Sequence, residues 1–89
     1  MASYRVVWRR SAERELRDLP RDRIARVVAL VSELAENPRP DGSRKLSGSE
    51  RTYRIRSGDY RVVYTVEDDR LVIEVVRIGH RRDVYRRGG

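Results

Sequence analysis

The chain has 89 residues, enough for one small hydrophobic core, and only 38% of them are hydrophobic. Its 21 Lys and Arg against 14 Asp and Glu leave a formal charge of +7, which makes polyanions the natural partners. With no cysteine and a single histidine, His80, a disulfide framework, a thiol nucleophile and a cysteine zinc site are excluded, and no metal or cofactor is expected.

The first element in chain order is a short β-prone run from Tyr4 to Trp8. Ser11 then stands as a candidate N-cap for a helix carrying Ala12 and Leu16, which Leu19 and Pro20 end. From Pro20, which suits a first helical turn, Ile24, Val27, Val28, Val31, Leu34 and Ala35 recur at spacings of three and four, the period of one helix face. Asn37, Pro38, Pro40, Asp41 and Gly42 break this pattern, and a loop runs on to Lys45 and Leu46. Beyond it, Thr52 to Arg56 alternate, Ser57, Gly58 and Asp59 supply a tight turn, Tyr60 to Val66 run back, and Asp68 and Asp69 turn the chain into Leu71 to Ile78. The expectation is an α+β domain spanning 1–89: two N-terminal helices on one face of a small, mainly antiparallel sheet, ending in a basic tail. No apolar run approaches the roughly 20 residues of a membrane span, and no signal-peptide core is visible at the N-terminus, so the cytoplasm is the expected location.

The positive charge is unevenly distributed. Residues 51–66 hold four arginines and one aspartate, and residues 77–89 hold five arginines and one aspartate. All but one of the 21 basic residues, Lys45, are arginine, the group suited to bidentate phosphate contacts and to stacking on bases. Strand alternation allows Tyr53 and Ile55 to face the core while Arg54 and Arg56 stand together on the other side. Arg61 can join them across the turn, with Tyr60, Val62, Tyr64 and Val66 on the opposite face. A solvated sheet face kept soluble by its arginines would show the same pattern. The tail gathers Gly79, His80, Arg81, Arg82, Asp83, Val84 and Tyr85, a set suited to stacking a base and holding the flanking phosphates. For Tyr85 the alternative is a residue closing the core, and for His80 an ordinary surface position.

The strings YRIRSGDYRVVY (Tyr53 to Tyr64) and VVRIGHRRDVY (Val75 to Tyr85) resemble the RelE toxins of type II toxin–antitoxin systems. The segment Ala12 to Pro20, the helix end at Asn37 and Pro38, and the turn from Lys45 to Gly48 are similar to that family as well. The resemblance implies a ribosome-dependent endoribonuclease that cuts messenger RNA in the A site, with ribosomal RNA assisting. It also implies a RelB-like cognate antitoxin encoded outside this chain. The family's basic active-site positions fall on Arg54, Arg56, Arg61 and Arg81, and its tyrosine falls on Tyr85. Lys45 and Arg82 join Arg54, Arg56 and Arg61 as RNA-contacting candidates. The best-known RelE pattern has lysines where Arg54 and Arg56 stand; arginine cannot readily give up a proton, which weighs against a general base at either position. Tyr85 and His80 are then the candidates for proton transfer, histidine being the residue type that titrates nearest neutrality. Two other readings share the same features: a ParE-like toxin that poisons DNA gyrase without a nuclease site, and a catalytically inert nucleic-acid-binding module.

Overall fold

A computed structural model describes residues 3–80 of the chain. Seven elements follow in order: β1 (Arg5–Trp8), α1 (Arg10–Arg17), α2 (Arg21–Glu36), β2 (Arg44–Lys45), β3 (Thr52–Ser57), β4 (Tyr60–Glu67) and β5 (Val72–His80). The five strands form one sheet in the order β1-β5-β4-β3-β2. β1 runs parallel to β5, and every other pairing is antiparallel. Two helices on a mixed, mainly antiparallel sheet is the α+β fold expected, but the three-stranded meander is widened at both edges. β1 closes one side by lying against β5, and the two-residue β2 closes part of the other within what reads as loop.

The core lies between the helices and one sheet face. Ala12 of α1 and Val27, Val31 and Leu34 of α2 meet Ile55, Val62, Tyr64, Val66, Ile73, Val75 and Ile78. Tyr64 is fully buried, and its hydroxyl donates to the Pro38 carbonyl at 2.7 Å, so the ring fills the core while its polar tip is satisfied. Removing only that hydroxyl would leave the Pro38 carbonyl without this bond, at a cost of about 1–3 kcal/mol.

Ser11 does not cap α1. The extended backbone continues through Arg9, whose N–H bonds the Val75 carbonyl, and the helix starts at once with Arg9 in the cap position and no side-chain cap. Ser11 thus falls in the first helical turn. Pro20 likewise stands in the cap position of α2, just ahead of the first helical residue.

One irregularity shapes the outer face of the sheet. Tyr64 pairs with Val75 and Val63 with Arg77, so β5 carries an extra residue, Val76, at a β-bulge. Without it, strict alternation would send Arg77 to the same side as buried Val75. With it, Ile78 enters the core and Arg77 turns outward.

Candidate nucleic-acid interface

The sheet face opposite the helices carries the basic residues. On β4, Val62, Tyr64 and Val66 belong to the core, which leaves Arg61, Val63 and Thr65 on the outer face. Directly paired residues share a face, so the registers Arg54↔Val63 and Arg56↔Arg61 bring the three expected arginines together. The same rule adds two that alternation alone did not reveal. Arg44 pairs with Arg54, and Arg77 pairs with Val63. Two rows result. Arg44, Arg54, Val63 and Arg77 cross four strands, and Arg56, Arg61 and Gly79 lie beside them toward the β3–β4 turn.

The burial of this face argues against a merely solvated surface. Arg61 is 6% exposed and Val63 is 7% exposed, although neither belongs to the helix-side core. An arginine on a soluble edge keeps its guanidinium in water. Arg61 is instead sunk in the sheet face directly opposite Arg56, a like-charge pair of a kind that lowers sheet stability. Its position is set by the tight β3–β4 turn, where Gly58 takes φ +60°, a left-handed conformation that suits glycine.

Other sequence-predicted residues go elsewhere. Lys45 pairs with Tyr53 and therefore projects on the helix side of the sheet, while its neighbour Arg44 takes the arginine face. His80 pairs with Tyr60, and the two rings meet edge to face with centroids 5.8 Å apart. Both are in register with the core side, and they line a cleft of about 310 Å³ along the β5 edge beside α1, together with Glu15, Asp18, Leu19, Arg77, Ile78 and Gly79. The structure does not bring His80 to the row of Arg56 and Arg61. Arg81, Arg82 and Tyr85, and with them most of the basic tail, lie outside the described residues.

At the opposite end of the sheet the charges are paired. Arg39 forms a two-pronged contact with Asp68, at 3.2 and 2.7 Å, and also donates to the Tyr53 hydroxyl at 2.9 Å. Tyr4 donates to the same Asp68 at 2.6 Å. These donors hold the Asp68 carboxyl below its usual range, Arg39 being the larger influence. Arg9 pairs with Glu74 and Arg70 with Glu67. Glu67 and Asp68 are thus engaged at that end, whereas Glu74, in register with outward-facing Thr65, lies on the helix-free face one row from Val63 and Arg77. Among the described residues no cluster of His, Asp and Glu is arranged to hold a metal ion.

Comparison with known proteins agrees with this architecture. The family model described as the ParE toxin of type II toxin–antitoxin systems, parDE, matches residues 6–85. The chain belongs to this toxin family. Its relatives include toxin RelG of Mycobacterium tuberculosis, 34% identical over 88 residues, covering 94% of this chain and 98% of the relative. Toxin RelE of the same organism is 34% identical over 84 residues, covering 93% and 87%. Among solved structures, the RelE–RelB complex of Pyrococcus horikoshii OT3 superposes with a TM-score of 0.80 at 31% identity, over 89% of this chain and 96% of that one. The isolated RelE toxin of Escherichia coli gives 0.79 at 29% identity, over 97% and 95%. Within the family, then, this chain is RelE-like.

Proposed function

We propose that this toxin is a ribosome-dependent endoribonuclease that cleaves messenger RNA in the A site and so halts translation. The observation that carries the reading is Arg61, a guanidinium buried to 6% exposure and directly paired with Arg56 on the helix-free face. Two guanidiniums so placed concentrate fixed positive charge on one spot of that face, as a phosphate site requires.

The chemistry that suits such a site is attack by a ribose 2′-oxygen on the adjacent phosphorus. The 2′-hydroxyl gives up its proton, the new P–O bond forms, and the bond to the 5′-oxygen breaks as that oxygen takes up a proton. The products are a cyclic phosphate and a free 5′-hydroxyl. Arg54, Arg56 and Arg61 supply fixed positive charge where negative charge grows on the phosphoryl oxygens, so the step needs no metal. We extend the site to Arg81 for the same charge. Since His80 lies with Tyr60 on the core side, Tyr85 is the proton carrier we favour. The toxin acts in the cytoplasm on ribosome-bound message, and a RelB-like antitoxin neutralises it. Support for that partner comes from the complexes in which RelE relatives are bound to RelB.

The test adds the purified toxin to ribosomes holding a defined message and maps new 5′ ends by primer extension, with Arg61→Ala and Arg81→Ala alongside. Discrete cuts within the A-site codon are expected, reduced about 10²-fold to 10³-fold in each variant. Absence of cuts on intact, programmed ribosomes overturns the nuclease reading and turns attention to inhibition of gyrase supercoiling.

A further inference from the structure

Resting on the reading of the helix-free face as an RNA-contacting surface, we propose that Arg44 and Arg77 are additional contacts to the RNA backbone. They extend the phosphate track across four strands, from the β2 edge to β5.

Three observations carry this. Arg44 sits directly opposite Arg54, a second like-charge cross-strand pair on the face that already holds Arg56 opposite Arg61. Two such pairs on one face gather more arginine there than solubility asks of a sheet. Arg77 reaches this face through the bulge at Val76, the local deviation that also returns Ile78 to the core. Finally, Arg44 and Arg77 form no ion pair or side-chain hydrogen bond among the described residues, a property they share with Arg14 and Arg26 on the helices, so their place on this face is what distinguishes them. Both guanidiniums keep their full fork of donors for an incoming oxyanion.

The geometry also selects the form of the ligand. Neighbouring strands lie about 4.8 Å apart, so the row from Arg44 through Arg54 and Val63 to Arg77 covers about 14 Å. That exceeds the reach of a single phosphate and matches an extended single strand crossing the sheet. Val63, at the middle of the row, is nearly buried and leaves the contacts to the cations on either side. Arg56 and Arg61 sit one row toward the β3–β4 turn, where the reacting phosphate would lie. Arg44 and Arg77 then hold the backbone on either side of it.

The test measures binding of a fluorescently labelled single-stranded oligouridylate as a function of salt. Removing one phosphate-binding cation lowers the slope of log affinity against log salt by about 0.7. The double variant Arg44→Gln, Arg77→Gln is expected to reduce the slope by about 1.4. Arg44→Lys with Arg77→Lys is expected to keep it. Arg14→Gln with Arg26→Gln removes the same charge from exposed positions on the helices and is expected to leave the slope intact. An unchanged slope in the first variant, or an equal fall in the helix control, overturns the proposal. If circular dichroism shows the double variant unfolded, Arg44→Gln alone, at an exposed position, must lower the slope by about 0.7, and a flat result there overturns it equally. Because the readout is binding and no cut is scored, absence of nuclease activity would not alter the result of this measurement.

Discussion

Arginine does not shed its proton when buried, so Arg61 brings a permanent charge into a face where it is 6% exposed. Its field acts through protein rather than water, and its influence on a nearby phosphate is correspondingly greater than that of a surface cation. Arg56, exposed and directly opposite, adds to that field while destabilising the fold. Arg56→Thr removes the repulsion and places a β-favouring residue in the strand. The expected outcome is a gain of about 0.5 kcal/mol in urea unfolding together with loss of cleavage on programmed ribosomes. A variant that is both less stable and fully active would show that Arg56 serves packing instead. At this scale Arg54, Arg56 and Arg61 were legible from alternation, because side chains two apart share a face. Arg44 and Arg77 were not. Assigning them needs the β2–β3 register and the bulge in β5, and neither leaves a mark in the local pattern.

The elements are held at the end of the sheet away from the arginine rows by a network centred on Asp68. Arg39, from the segment after α2, and Tyr4, just before β1, both donate to this carboxylate in the β4–β5 turn. Arg39 also lies over the Tyr53 ring at 5.2 Å, and Tyr53 stacks on Tyr64 at 5.9 Å, which joins the network to the core. Asp68 has a lowered pKa in the fold, so its contribution is fully present above the unfolded value of about 3.8 and is lost as pH falls through the folded value. Thermal melts should therefore show an acid limb below about pH 4 that is shallower in Asp68→Asn, with the neutral-pH stability of that variant reduced. An identical acid limb in both proteins would mean that Asp68 has no part in the acid sensitivity. Both helices and the three long strands were legible, since apolar spacing and turn residues mark them. β1 was visible only as a β-prone run. Its place beside β5 depends on contact between chain segments more than 60 residues apart. β2 is two residues long, and its pairing with β3 defines it more than its composition does.

Across the whole molecule, charge is sorted along the sheet. One end carries the Arg39–Asp68 and Arg70–Glu67 pairs, the other carries Arg56 and Arg61, and the Arg9–Glu74 pair lies between them. With +7 on 89 residues, self-repulsion opposes folding, while exposed ion pairs contribute little. Raising potassium chloride from about 0.05 to about 0.5 M shortens the screening length several-fold and should raise the melting temperature of the free toxin. A falling melting temperature would mean that the ion pairs outweigh the repulsion. Composition and periodicity by themselves determined a small basic α+β chain with two amphipathic helices, a strand-rich C-terminal half and a concentration of arginine there, because these follow from charge counting and from the repeats of local structure. Tertiary structure decided which arginines share a face, that Lys45 and His80 project from the other, and that Arg61 is buried. Those outcomes depend on register, on the Val76 bulge and on strand order, and cross-strand pairing between distant segments sets all three.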